Sequence, residues 1–417
     1  MTRSPRSATL LVLDGLGVGA LPDAGEVRAC DTAADTLGAV ARWSLAQRGR
    51  PLRIPHLAGL GLAQVRPDLA AALAPPVALL RATGARSDLG YPGADSFAGH
   101  QALMGADMSH VVLRRLAGSL AGVAAALRRA GHAVAPLDGG PVLVVDGAAL
   151  VHDNLEADPG LNWNVSCRLE DLPFERILAI ARTVREAAPV ARVIAVGGHS
   201  DAPLRAAVRE GADGTVGLDT PASGFYRNGG LRVQHLGAEV DHRHQVHGAA
   251  AARGLPVALI GKAADLLVTD GAVERRPDVE TPRILASTTS RAGRGLVVSN
   301  VQQTDLAGHS RDPRAFADQL EAVDRALPDL AAKLGEGDLL VVTGDHGNDP
   351  SLGHPFHTRE RVPVLAATAG RGQVRRARDL ATLADVGAST ARWLGLPADA
   401  AATGTATDLL AAAPIRA

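Results

Sequence analysis

Aromatic side chains are scarce in this sequence: five Phe, two Tyr and three Trp amount to 2% of 417 residues. Surfaces that stack bases or sugar rings need aromatic faces, so a single-stranded nucleic-acid platform or a glycan cleft is not expected. Cysteine is scarcer still. Only Cys30 and Cys167 occur, too few for a disulfide framework or a cysteine zinc site, which suits a reducing compartment and predicts a cytoplasmic protein. No charge of one sign dominates either: 43 Lys plus Arg against 44 Asp plus Glu leave a formal charge of -1, so no global field draws in nucleic acid or an anionic membrane. No apolar run approaches the roughly 18 residues of a membrane-spanning helix. The basic start followed by ATLLVL has the outline of a secretory leader, but Asp14 cuts it at about half the length such a segment needs.

What is present is the composition of a globular protein, 46% apolar and 21% charged. At this length a second domain is expected. The pattern of elements places a core in two pieces, 1–105 and 242–417, around an inserted α/β domain at 106–241. In the core, Ala8 to Leu13, Pro256 to Gly261, Gly295 to Asn300, Asp338 to Gly344 and Val362 to Ala369 read as buried strands. Helices are predicted from Asp35 or Thr36 onward, after the cap Asp312 and Pro313, and around Leu383 to Leu394. Pro55 to Leu62 reads as a turn with a short apolar segment. In the insertion, helices at Val112 to Ala130 and Pro173 to Ala187 alternate with strands at Pro141 to Asp146 and Ala191 to Val196, while LNWNV (Leu161 to Val165) and the tract Gly211 to Gly230 have no usable periodicity. Strand, loop and helix in alternation predict an α/β fold with a parallel, doubly wound sheet.

Three strand tips of that core carry carboxylate and imidazole groups. Asp14 follows the first strand; a loop after the third carries Asp305 and His309; Asp345, His346 and then His357 follow the fourth. Open α/β sheets keep their chemistry at such tips. Mixed Asp/His ligation without cysteine suits Mn²⁺ or Zn²⁺, and six groups exceed what one catalytic ion needs, so two ions are expected. A pair of ions about 4 Å apart holds a phosphoryl group and activates a hydroxyl nucleophile. Ser96, in the Gly-rich loop before a helix, is the candidate nucleophile. The segment with Asp241, His242, Arg243, His244 and His247 reads as a polar boundary or a ligand-facing loop rather than a metal site.

The motifs VLDGLGVGALPDA, ADTLGAVA, GADSFAGH, ARVIA, ALIGKAAD, GHSRDP, GDHGNDP and HTRERVP together resemble the phosphopentomutases of the alkaline phosphatase superfamily. The resemblance runs through nearly the whole chain and is loosest in the middle third. It implies an alkaline-phosphatase-like core with an inserted cap. It assigns Asp14, Ser96, Asp345 and His346 to one ion and Asp305, His309 and His357 to the other, both Mn²⁺ in that family, with a sugar bisphosphate as activator. Ser96 stands where those enzymes carry a phosphorylated Thr. Ala94, Gln101 and Ala102 replace the family's Lys, Trp and Glu, and Gly147 and Ala149 stand at its sugar-contacting Ser and Asp. The second metal motif reads DxxxH, the spacing of cofactor-independent phosphoglycerate mutases. Arg192 and Lys262 remain at positions that bind the distal phosphate or sugar, and Arg243 is a further candidate substrate contact.

The expected function is therefore a metal-dependent phosphomutase acting on a small phosphorylated sugar of the ribose 1-phosphate/ribose 5-phosphate type through phospho-Ser96, with no nucleic-acid or membrane partner. The sequence leaves the oligomeric state open. Two other readings remain: a phosphatase or phosphodiesterase on the same core, and a non-catalytic binding protein on a retired scaffold.

Overall fold

The computed structural model describes residues 6–211, 214–370, 372–401 and 403–413. The chain divides into two compact units, one ending at Met108 and resuming at Val240, the other Ser109–Glu239. Along the chain the first unit contributes β1 (Ser7–Leu13) and β2 (Arg81–Ser87). The second contributes β3 (Val134–Pro136), β4 (Leu143–Val145), β5 (Ala149–Asp153), β6 (Asn162–Arg168), β7 (Arg192–Gly198), β8 (Val208–Glu210), β9 (Val216–Leu218) and β10 (Arg232–Gly237). The first unit then resumes with β11 (Val257–Ile260), β12 (Glu274–Arg276), β13 (Leu296–Val301), β14 (Asp338–Thr343), β15 (Val362–Thr368) and β16 (Arg375–Arg376).

The first unit is built on one sheet in the order β12-β11-β13-β1-β14-β15-β2-β16. β1 lies at its centre, parallel to β13 and β14, and all seven of its residues are buried. Such a strand needs apolar side chains on both faces, which is why SATLLVL shows no alternation. Leu11 and Leu13 join a core with Leu37, Phe316, Leu320 and Leu327, while Leu10 and Val12, equally buried, point to the opposite face. The helix Pro313–Ala331, capped by Asp312, which accepts from the Ala315 N–H, buries Phe316, Leu320, Val323, Leu327 and Leu330 along the expected stripe. Each of these burials contributes about 1.5–3 kcal/mol. On the other side the helix Ala384–Leu394 packs against β1 and against the helix Ser96–Leu103. The architecture is an α/β one, a large and mostly parallel sheet with helices packed on it.

The structure corrects several local expectations. The sheet is not wholly parallel: β15 runs antiparallel to both neighbours, because one loop turns directly from β14 into the adjacent strand, its two arms meeting at an antiparallel bridge between Gly347 and Thr358. Pro55 to Leu62 is helical rather than a turn, as Pro55–Leu57 continued by a wider helical turn at Ala58–Leu62. Asp305 and His309 lie on a helix, Gln303–His309, rather than in a loop. In the second unit the first regular helix is Leu120–Arg129, after a short 3₁₀ turn at Leu116–Gly118.

The second unit carries a six-stranded sheet, β10-β7-β6-β5-β4-β3, in which β6 and β7 are parallel and the other pairs antiparallel. The helices Leu120–Arg129 and Phe174–Ala187 cover one face, against Trp163, Val165 and Cys167 of β6. LNWNV thus belongs to a strand. Along that strand Asn162, Asn164 and Ser166 alternate with Trp163, Val165 and Cys167, and both sets are buried. Among the described residues, no helix is long and apolar enough to cross a membrane.

Candidate metal centre

In the first unit the strand tips of β1, β13 and β14 converge. Asp14 follows β1 directly, and Gly15 turns the chain away with φ of 74°. A Cβ at Gly15 would stand 3.0 Å from Asn348 Cβ, so both the turn and the packing require glycine. Asp345 and His346 follow β14 and are buried. Asp305 and His309 share one face of their helix, one turn apart, their Oδ2 and Nε2 atoms 3.3 Å apart.

Ser96 enters from the helix Ser96–Leu103. The cap of this helix is Asp95, whose Oδ1 accepts from the Ala98 N–H at 2.9 Å. Ser96 is therefore the first helical residue and its hydroxyl is not spent on capping. Its Oγ lies 2.9 Å from His346 Nε2, 3.2 Å from Lys262 Nζ and 3.3 Å from Asp14 Oδ1. The HTRE stretch fixes the loop before it: His357 Nδ1 bonds to the Ala94 carbonyl at 3.1 Å, and Arg359 donates to the carbonyls of Tyr91 and Gly93. The Tyr91 hydroxyl returns the contact by donating to the Asp345 carbonyl at 2.8 Å.

Two groupings of potential ligands result, Asp14 with Asp345 and His346, and Asp305 with His346 and His357, the ligand atoms of each lying within 4.8 Å of one another. Their donor state suits divalent cations. His346, His357 and His309 each turn Nδ1 to a backbone carbonyl, of Gly347, Ala94 and Pro355. Carbonyls only accept, so Nδ1 carries a proton and Nε2 is the nitrogen left to face a cation. The Nε2 atoms of His309 and His357 face each other at 3.1 Å, an arrangement that repels unless a cation or a proton lies between them. Asp345 Oδ2 is buried with no hydrogen-bond partner among the described residues. His100 Nδ1 and His346 Nε2 lie 3.1 and 3.6 Å from it without forming a hydrogen bond, a setting that a bound cation would satisfy.

The electrostatics agree. Burial alone would raise the Asp14 carboxyl, but the Lys262 ammonium 2.6 Å away holds it below the ordinary carboxylate range, and Asp305 is held down in the same way. Burial works against a charge on His346, yet Asp345, Asp14 and Asp305 together push it up to about 10. Three carboxylates favour positive charge here, and a divalent ion on Nε2 satisfies the same field.

Lys262 is the placement that spacing did not reveal. It stands at the end of β11, with Nζ 2.6 Å from Asp14, 3.1 Å from Asp305 and 3.2 Å from Ser96. Of the other two candidate substrate residues, Arg192 opens β7 in the second unit, where its Nε donates to Asn162 Oδ1 at 3.3 Å. Arg243 sits on an exposed turn, paired with Asp241 at 2.8 Å. Gln101 is engaged in packing, donating to the Leu266 carbonyl and accepting from Gln245. In a third cluster, Cys30, Asp31 and His354, the side chains bond to other protein groups. Asp31 pairs with Arg28 at 3.2 Å, and His354 Nδ1 accepts the Phe356 N–H, so its Nε2 carries the proton directed at Asp31. Glu360, absent from the sequence-derived set, is buried beneath the site with four donors on its carboxylate.

The metalloenzyme superfamily profile matches residues 6–398. The phosphopentomutase of Chromohalobacter salexigens is 30% identical, covering 93% of this chain and 93% of the relative. That of Methylobacterium radiotolerans is 31% identical, with 95% and 98% covered. The chain belongs to the metalloenzyme superfamily, as a phosphopentomutase-like member. The phosphopentomutase of Deinococcus radiodurans, 30% identical over 95% of this chain and 97% of its own, is similar to it in the same degree. Among solved structures, the Leishmania mexicana phosphoglycerate mutase gives a TM-score of 0.42 at 16% identity, covering 96% of this chain and 98% of that one. The phosphopentomutase-like chain is thus a metal-binding phosphomutase, an isomerase of the intramolecular phosphotransferase class.

Proposed function

We propose that this enzyme moves phosphate between two hydroxyls of a pentose phosphate, of the ribose 1-phosphate/ribose 5-phosphate type, through phospho-Ser96. The observation that carries this reading is the setting of the Ser96 hydroxyl. It stands at the first position of a helix, within 3.3 Å of an imidazole nitrogen, an ammonium and a carboxylate. Two divalent ions, Mn²⁺ in this reading, would be held by Asp14, Asp345 and His346 with Ser96, and by Asp305, His309 and His357. They supply positive charge for the phosphoryl oxygens and lower the pKa of the serine hydroxyl.

The protein's own groups do the rest. The N–H groups at the start of the helix Ser96–Leu103 and the Lys262 ammonium face the phosphoryl group on Ser96 Oγ. The phosphoryl group passes from Ser96 Oγ to the free hydroxyl of the sugar phosphate, giving a bisphosphate. The sugar's other phosphoryl group then returns to Ser96, so a trace of sugar bisphosphate primes the serine. Arg192 and Arg243 are proposed as substrate contacts, as a guanidinium suits a phosphate.

Incubation with ribose 5-phosphate, Mn²⁺ and a trace of ribose 1,5-bisphosphate tests this. Ribose 1-phosphate is the expected product, and Ser96→Ala is expected to form none. Release of inorganic phosphate in place of the isomer would replace the mutase reading with a hydrolase. An active Ser96→Ala protein would refute the phosphoserine.

A further inference from the structure

Outside the candidate ligands, two buried asparagines each grip one metal-facing carboxylate. Asn300 Nδ2 donates to Asp14 Oδ2 at 3.0 Å, and Asn348 Nδ2 donates to Asp305 Oδ1 at 2.9 Å. Both side chains are wholly buried, and each leaves its own Oδ1 without a hydrogen-bond partner among the described residues. A side chain whose acceptor goes unused serves there as a donor.

We propose that Asn300 and Asn348 are positioning residues, one for each ion, that aim Asp14 and Asp305 and thereby set the affinity of the two metal sites separately. This rests on the dinuclear reading above. In each carboxylate the amide holds one oxygen; in Asp14 the other turns toward candidate ligands, and in Asp305 both do, Oδ1 lying 3.4 Å from His357 Nε2. Asp14 Oδ1 faces Ser96 Oγ and His346 Nε2 at 3.3 and 3.4 Å. Asp305 Oδ2 faces His309 Nε2 at 3.3 Å. An amide does this without adding charge, so the carboxylate stays ionised for the cation.

The two asparagines differ in what else they hold. The second hydrogen of Asn300 Nδ2 goes to His100 Nε2 at 3.1 Å, and His100 Nδ1 donates to the Ser96 carbonyl at 2.8 Å. Asn300 therefore ties Asp14 to the start of the serine helix. Asn348 has no such link. It is wedged between Gly15 and Gly308, where an added Cβ would meet its side chain at 3.0 and 2.4 Å, and it also donates to the Asp305 carbonyl at 3.2 Å. Asn300 should thus affect both its ion and the serine, Asn348 its ion alone.

The test is calorimetric titration of metal-stripped, full-length protein with Mn²⁺. Asn300→Leu and Asn348→Leu keep the approximate shape and remove the donor. Each is expected to weaken one binding step by roughly 10–100-fold and to leave the other unchanged. On a His309→Ala background, Asn300→Leu should still weaken the remaining site, whereas Asn348→Leu should not. Asn300→Ser and Asn348→Ser restore a small donor, should recover part of the affinity, and stand in for a leucine variant that fails to fold. Full affinity at both sites in either leucine variant would overturn the inference, as would equal weakening of both steps. Wild-type protein that takes up no Mn²⁺ would overturn the dinuclear reading itself, and the inference with it.

Discussion

Replacing Glu360 by Gln should make the first unit more stable at neutral pH than at acid pH, relative to the wild type. One carboxylate oxygen of Glu360 accepts the N–H groups of Gly19 and Thr36, both at 3.0 Å, and the other accepts the hydroxyls of Thr36 and Thr358 at 2.6 and 2.7 Å. Burial raises this carboxyl, and although the four donors pull the other way the result is a rise from 4.5 to about 7. The folded chain therefore binds a proton that the unfolded chain has released between those values, and wild-type stability falls as pH rises through that window. A shift of about 2.5 units corresponds to ~3 kcal/mol. Gln fits the same cage, its oxygen toward the two N–H groups and its NH₂ toward two hydroxyls that can rotate to accept. Below pH 4.5 the two proteins should differ little; by about pH 7 Glu360→Gln should have gained ~3 kcal/mol over the wild type. Urea unfolding in the presence of a chelator measures this, followed by Trp43 and Trp393 fluorescence in a Trp163→Phe background so that the signal belongs to the first unit. Parallel pH profiles, or a gain on the acid side, would refute the reasoning.

Lys262→Met removes an ammonium that shares Asp14 and Asp305 with any bound cation. Divalent-metal affinity should rise at least about tenfold, ~1.4 kcal/mol, while phosphomutase activity falls; isothermal titration and an activity assay check the pair. In the second unit, burial pushes His152 down to about 4. The unfolded chain takes up a proton near pH 6.5 that the folded unit refuses, so stability should drop by up to ~3 kcal/mol between pH 6.5 and 4. Trp163 fluorescence during urea unfolding reads the drop, and His152→Gln should abolish it.

The cluster of candidate ligands was legible because they follow apolar runs, and an apolar run ending in Asp or Asp-His marks a strand tip without any knowledge of which strands are neighbours. The secondary shell was not. Asn348 sits inside GDHGNDP, where asparagine reads as turn chemistry, and Asn300 at the end of an expected strand, and only the packed structure shows each amide on a carboxylate. Lys262 was legible as a site residue but its setting was not, since one Lys after a strand gives no distance to Asp14 or Asp305. β6 carries the alternation of a strand, but its Asn162 and Asn164 are of a residue type depleted in strands and common in turns, and their burial is seen only in the structure. The helix carrying Asp305 and His309 was lost to its length, seven residues, too short for periodicity to register.

The pairing of β1 bears on how this protein comes off the ribosome. Its two neighbours in the sheet are β13 and β14, with Ala8 opposite Leu296 and Ser7 opposite Asp338. β1 must therefore wait, apolar on both faces, until β13 and β14 have been made. Ser109–Glu239 closes on its own contacts and can fold in the meantime. The exposed SATLLVL segment is the stretch a holdase would be called upon to shield, and pairing across such sequence distances makes closure of the large sheet the slow step of maturation. The candidate ligands, from Asp14 to His357, come together only when that sheet closes.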